Sequence, residues 1–229
     1  KEMIAALLGT RWTVRKPTGS FNNQGGLPLT LLQLSSSHQA VVLELGANQP
    51  GEIASLAEIC RPTVGAVTAV AAAHTEFFKT LEGVWEEKAH LVRAIPEEGS
   101  VILNWDDLRV RAMAPLARGR VVTVGRDPGA LVRAVGEIQD GGEGVTFTLE
   151  IEGERRRVRL AFSGRHNVLN ALVAAGAGAA LGFSPDEIVA GLEAARPVKG
   201  RLIWRRAGSI RILDDSYNAN PASVQAALD

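Results

Sequence analysis

Short apolar runs alternating with amphipathic stretches constrain this chain more than any other feature. Ala40 to Leu45 (AVVLEL) is a continuous apolar run of buried-strand type, Pro50 to Cys60 has an amphipathic helical pattern, and Val64 to Val70 is a second buried strand. Thr80 to Ile95 reads as a helix that ends before Pro96, followed by a strand at Ser100 to Leu103, a helix over Asp107 to Ala117 and a strand at Val121 to Val124. Apolar strands separated by helices are the mark of βαβ units, so the pattern predicts an α/β fold with a mainly parallel sheet flanked by helices. Between Leu131 and Phe162 the rhythm changes. Val145 to Ile151 and Arg157 to Phe162 alternate with a period of two around Glu152-Gly153-Glu154, which predicts a hairpin and three antiparallel strands lying against the parallel sheet. Arg155-Arg156-Arg157 fits a solvated hairpin edge better than a nucleic-acid contact, because charge on an edge strand discourages pairing with other chains.

A long Ala-rich helix over Asn167 to Leu181 is closed by Gly182, and Ser184-Pro185-Asp186-Glu187 supplies an N-cap with Pro at the first helical position for the next helix. Val198 to Arg201 leads into an extended segment, Ile210 to Leu213 is a last strand, and Ala222 to Leu228 begins a further helix. A domain boundary is expected between 207 and 211. At the other end, Met3 to Leu8 is a helix with no cap residue before it, as though the chain starts inside an element.

Charge narrows the function classes. Twenty-five basic residues balance 25 acidic ones, which argues against a nucleic-acid or anionic-membrane binder whose affinity comes from bulk charge. No apolar run reaches the roughly 18 residues of a membrane-spanning helix. Cys60, the single cysteine, excludes an intramolecular disulfide and reads as an inert thiol at a helix end.

Several polar residues sit where parallel sheets place ligands, at the carboxyl ends of strands. Glu44 ends the first apolar run and His74 follows the second; each is either a loop-capping structural residue or part of an oxygen-plus-imidazole site for Mg²⁺ held through phosphate. Lys88, behind Glu86 and Glu87, reads on its own as a solvated lysine. Asn167 and Asn170 share a face of one helical turn. Asn167 can serve as a cap, but Asn170 is a poor interior residue, and paired carboxamides can read the edge of a base. Arg201 precedes the last strand, and Asp214-Asp215-Ser216-Tyr217-Asn218-Ala219-Asn220-Pro221 follows it. An Asx-rich turn into a helix explains Asn220 and Pro221 there, but not two aspartates and a tyrosine. The phosphate-binding pattern G-x-x-x-x-G-K-[ST] is absent: Gly19 to Gly25 has the glycine spacing, but Gly26 and Leu27 follow.

Taken together, Phe21-Asn22-Asn23-Gln24-Gly25-Gly26-Leu27-Pro28-Leu29-Thr30, Glu44-Leu45-Gly46-Ala47-Asn48, Ala73-His74-Thr75-Glu76, Glu82-Gly83 through Lys88, Asn104-Trp105-Asp106-Asp107, Gly164-Arg165-His166-Asn167-Val168-Leu169-Asn170, Gly200-Arg201-Leu202 and Asp214 through Pro221 resemble the Mur ligase family in composition and order. The resemblance covers nearly the whole chain. It implies a P-loop-NTPase-like central ATP-binding domain over 1–208, lacking its P-loop strand, and the start of a Rossmann-like C-terminal ligase domain over 209–229. It implies an ATP-dependent amide ligase of peptidoglycan precursor synthesis that joins D-alanyl-D-alanine to UDP-N-acetylmuramoyl-tripeptide through an acyl phosphate. The implied cofactors are ATP and Mg²⁺, in a cytoplasmic enzyme that is monomeric at full length, with no nucleic-acid partner and no membrane insertion.

Residue by residue, the resemblance makes Glu44, His74 and a carbamylated Lys88 the metal site, with His74, Lys88 and Arg201 catalytic. Asn167, Asn170, Arg201 and Asp215 become nucleotide contacts, Asn22 and Asn23 face the muramoyl-peptide, and Asn218 and Asn220 lie near the acceptor amine. The chain departs from the family pattern at Ala71-Ala72-Ala73, at Trp85-Glu86-Glu87 and at Ala89-His90-Leu91, all around the expected metal site. A sister ligase of the family, MurE-like or folylpolyglutamate synthase-like, and a P-loop-less pseudoenzyme acting as a scaffold are the alternatives. Without a phosphate-binding loop, the chain on its own is expected to be inactive.

Overall fold

The computed structural model describes residues 1–17, 19, 21–71, 78, 80–141, 144–217 and 224. Its centre is a six-stranded sheet. Strand β3 (Val64–Val67) pairs in parallel with β4 (Ser100–Asn104), β4 with β5 (Arg120–Gly125), and β5 with β6 (Val132–Asp140). Strand β7 (Val145–Ile151) then adds antiparallel to β6, and β8 (Glu154–Leu160) antiparallel to β7. The antiparallel strands therefore continue the parallel sheet edge to edge. Glu152 and Gly153, both at positive φ, make the β7–β8 turn.

Burial on both faces explains the unbroken apolar strands. All five residues of β4 are buried. Ile102 points to one face with Val122 and Val124, while Val101 and Leu103 point to the other. On the first face lie α1 (Glu2–Leu8), α6 (His166–Ala180) and α7 (Pro185–Ala194); on the second lie α4 (Leu81–Ala94) and the short α5 (Leu108–Arg111). Nine of the fifteen residues of α6 are buried, and its small side chains permit close approach. A Cβ at Gly176 would stand 2.7 Å from Val124 Cγ1, and one at Gly178 would stand 3.0 Å from Leu7 Cδ2. Helix α7 has the expected start, a full capping box between Ser184 and Glu187 with Pro185 at its head. Arg11 ties this start to the end of α1: it pairs with Glu187 at 2.6 Å and stacks on Phe183 at 3.9 Å.

Three expectations change. The run Ala40 to Leu45 forms only a two-residue strand, β2 (Ala40–Val41), paired in parallel with β1 (Val14–Arg15) in a separate small sheet. Having one strand neighbour among the described residues, it has no second ladder to lengthen it; Val42 is buried but Glu44 is exposed, not enclosed in a core strand. The strand at Val64 ends at Val67, because the backbone of the next three residues is held by side chains. The helix over Asp107 to Ala117 breaks into α5 and a 3-10 turn at Ala114–Leu116, where Pro115 cannot donate to a continuing helix. Beyond Arg201, the expected extended segment is strand β9 (Ile203–Ala207), which pairs antiparallel with β10 (Ile210–Asp214), and the hairpin spans the expected domain boundary. The expected helix over Ala222 to Leu228 lies outside the described residues.

The arginine run behaves as an edge. Arg155 pairs with Glu150 at 2.7 Å, Arg156 with Asp186 at 2.7 Å and Glu154 at 2.9 Å, and Arg157 donates to Gln139 Oε1 at 3.2 Å. Cys60 is the last residue of α3 (Glu52–Cys60), half-buried, with its thiol pKa raised by burial.

The α1–α7 contact generates a test. A Cβ on Gly191 would lie 2.5 Å from Leu7 Cα. Gly191→Ala should lower stability by about 1–3 kcal/mol in urea denaturation, although alanine on helix propensity alone should gain ~1 kcal/mol. A gain would show that the two helices do not approach this closely.

Candidate functional site

Thr68, Ala69 and Val70 leave the sheet just after β3, so their backbone groups need partners from elsewhere. Three side chains supply them. Asn104, at the end of β4, donates from Nδ2 to Thr68 O at 2.8 Å. Lys88, from α4, donates from Nζ to Ala69 O at 2.8 Å. Asp107 accepts the Val70 N–H on Oδ2 at 2.8 Å, while its Oδ1 caps α5 by accepting from Arg109 N at 2.9 Å and Val110 N at 3.2 Å. Lys88 is thus a half-buried amine turned onto the carboxyl edge of the sheet rather than a solvated one. Burial lowers its pKa, and the nearby Asp107 carboxylate partly opposes that shift.

The neighbouring residues fix this edge. Asp106 N donates to Asn104 Oδ1 at 3.1 Å, and the Asp106 carboxylate accepts from Arg126 N at 2.8 Å and Asp127 N at 2.8 Å, just past β5. Asn104-Trp105-Asp106-Asp107 therefore laces together the ends of β3, β4 and β5. These residues stand in the sequence as a family motif with no assigned role; two acids just after a buried strand are the signal that marks them. Glu87 likewise does more than its place beside Lys88 suggests. It is 4% exposed, and its carboxylate caps α3, accepting from Gly51 N at 2.7 Å and Ile53 N at 2.6 Å. Successive residues on a helix point about 100° apart, so Glu87 faces α3 while Lys88 faces the loop after β3.

Glu44 belongs to a second group. Gly46 N donates to Asn22 O at 2.8 Å, and a Cβ on Gly46 would meet Asn22 Nδ2 at 2.7 Å, which presses the Asn22 loop against the segment carrying Glu44. Asn23 Oδ1 accepts from Gly26 N at 2.8 Å and Gly25 N at 3.2 Å, a cap at the start of α2 (Gly26–Leu31).

A third group gathers at the first turn of α6. Asn167 Nδ2 donates to Ser163 O at 2.7 Å, and Asn170 Nδ2 donates to Asn167 Oδ1 at 3.0 Å, so the two expected partners are joined. Asp215 Oδ1 accepts from Leu202 N at 3.2 Å and is near enough to His166 to influence its charge. Arg201 lies over the Tyr217 ring at 4.1 Å, and Tyr217 N donates to Gly200 O at 2.9 Å. Gly200–Leu202 and Asp215–Tyr217 are in this way clasped across the β9–β10 hairpin. His74, Asn218 and Asn220 lie outside the described residues.

The class of protein follows from comparison with known families. Residues 1–178 match the Mur ligase middle domain, and the chain belongs to the Mur ligase family. Within the family, it is 40% identical over its whole length to a Mycobacterium tuberculosis protein named UDP-N-acetylmuramoyl-tripeptide–D-alanyl-D-alanine ligase, of which it covers 45%. Among solved structures, MurF from Acinetobacter baumannii superposes with a TM-score of 0.93 at 35% identity, over 99% of this chain and 49% of that one. MurF ligase from Thermotoga maritima, in complex with ADP, superposes with a TM-score of 0.89 at 28% identity, over 100% of this chain and 52% of that one. The chain thus spans about half the length of the relatives it matches. No helix among the described residues is long and apolar enough to cross a membrane.

Lys88 gives a pH signature. Its folded-state pKa lies below the ordinary lysine value, so the unfolded chain holds this proton more tightly than the folded one. Stability should accordingly rise with pH between the lowered folded-state value and the ordinary lysine value of about 10.4. Thermal melts of Lys88→Met across that alkaline range should lack this rise; a parallel pH dependence in both proteins would show that the amine is not desolvated.

Proposed function

We propose that this chain is the central nucleotide-binding part of a cytoplasmic, ATP-dependent ligase that joins D-alanyl-D-alanine to UDP-N-acetylmuramoyl-tripeptide through an acyl phosphate. The observation that carries the reading is whole-chain likeness, at 40% identity, to a relative named for that reaction. Residues 1–208 form the central domain and 209–229 begin the C-terminal ligase domain in this reading, and the full-length enzyme is a monomer.

The chain's residues suit the task. Asn170 uses one N–H on Asn167 and keeps its Oδ1 and second N–H for the edge of an adenine. Asp215, near His166 at the start of that helix, takes the ribose, and Arg201 moves from the Tyr217 ring to the phosphates. Phosphoryl transfer depends mainly on positioning and charge neutralisation, which ATP-bound Mg²⁺ supplies when present. The exposed Glu44 carboxylate is a suitable hard ligand for that ion. Protonated Lys88 is not, but a half-buried lysine with a lowered pKa more readily offers its neutral amine, whose nitrogen adds to CO₂ and loses a proton to solvent, leaving a carbamate anion. His74 completes the metal set in this assignment. Asn22 and Asn23 face the muramoyl-peptide, and Asn218 and Asn220 the acceptor amine.

Phosphate release by the longer ligase containing this chain, given ATP, Mg²⁺ and UDP-N-acetylmuramoyl-tripeptide, tests the reading. Release should require D-alanyl-D-alanine, Arg201→Ala should reduce it about 10²-fold or more, and the 229-residue chain alone should show none. Release with a single amino acid instead would move the chain to a sister ligase; none with either acceptor would favour a scaffold.

A further inference from the structure

The orientation of the Asn167 carboxamide follows from its partners. Ser163 O can only accept, so the group 2.7 Å from it must be the Asn167 amide nitrogen. Oδ1 then lies on the other side, where Asn170 Nδ2 donates to it at 3.0 Å. One Asn167 N–H remains, and it meets His166 Nε2 at 3.1 Å. A ring nitrogen facing a donor must be an acceptor, so His166 is neutral with its proton on Nδ1. Gly164, at φ +89°, makes room for the ring: a Cβ there would lie 2.6 Å from His166 Cε1. Asp215, beyond β10, and Asp140, at the end of β6, are near enough to favour the ring's cation, but partial desolvation outweighs both and lowers its pKa, although the residue keeps an exposed side.

We propose that His166 is a positioning residue, whose unprotonated Nε2 locks the Asn167 amide and thereby fixes which donor and acceptor Asn170 presents to a purine. Protonation sets N–H against N–H at Asn167. The amide then turns, loses Ser163 O and points its nitrogen at the Asn170 nitrogen. Base recognition and His166 charge are coupled through two side chains. This inference rests on the nucleotide reading of the Asn pair.

Two measurements test it separately. ¹⁵N NMR of the nucleotide-free chain should show the Nδ1–H tautomer at His166, with Asn167 side-chain amide signals that move as the ring titrates; an Nε2–H tautomer overturns the proposal. Affinities for ATP and for inosine triphosphate, which lacks the exocyclic amine, then read base discrimination in the longer ligase. His166→Phe should cut the ATP preference about 5-fold, the worth of one hydrogen bond, and leave inosine triphosphate binding unchanged. His166→Gln, which restores an acceptor, should recover most of the preference. The neutral ring is the competent form and its pKa is lowered, so wild-type preference should hold above that pKa and decline as pH falls through it, whereas the Phe variant should be flat. An unchanged preference in His166→Phe, or equal loss for both nucleotides, overturns the proposal. If the wild type binds neither nucleotide or does not distinguish them, the nucleotide reading fails, and the tautomer and the Asn167 signals alone decide whether His166 sets the amide.

Discussion

Backbone polar groups that leave a sheet must still be satisfied, and in this chain the three residues after β3 depend on that rule. Thr68, Ala69 and Val70 are held by Asn104, Lys88 and Asp107, which come from β4, α4 and the cap of α5. An unmet buried group costs about 1–3 kcal/mol, so each side chain is anchored by the loop as much as the loop is anchored by it. The carboxyl edge of the sheet owes its form to this exchange. It explains why a lysine reaches inward there and why a carboxylate accompanies it.

The rest of the domain makes that edge rigid. Strand β4, buried along its whole length, places Asn104 and the following residues with little freedom. Interiors packed at crystal-like density resist displacement. The small residues of α6 let that helix lie directly on Ile102 and Val124, so its first turn, with His166, Asn167 and Asn170, is set by the same sheet. Loops from opposite faces of one core thus converge on a shared framework.

Much of this could be read from the residues in order. Apolar runs revealed the parallel strands, period-two alternation revealed the β7–β8 hairpin, and Ser184 with Glu187 announced α7. Burial on both faces leaves a strong trace in composition. Strand length leaves a weaker one: nothing in AVVLEL says that β2 has one neighbour and stops at Val41, or that Glu44 meets solvent. Site residues were legible as types and positions, but partners distant in the chain were not. Lys88 reads as solvated until Ala69 O and Asp107 are placed beside it, and Glu87 reads as a local charge until α3 arrives 34 to 36 residues away. The Asn167–Asn170 pair was visible because helical periodicity puts it on one face; His166 was not, since its contribution depends on which ring nitrogen faces an amide.

Glu87 and Lys88 have a joint consequence. One residue is committed to the head of α3 and the next to the loop after β3. Helix α4 is therefore indexed at two points about 100° apart, and it cannot rotate about its axis to retract one side chain without withdrawing the other. Insertion or deletion of a single residue between Thr80 and Glu87 would turn both away together, uncapping one helix and emptying the loop. Length in this stretch of chain is therefore as tightly specified as the identity of either charged residue, and adaptation here is confined to substitution.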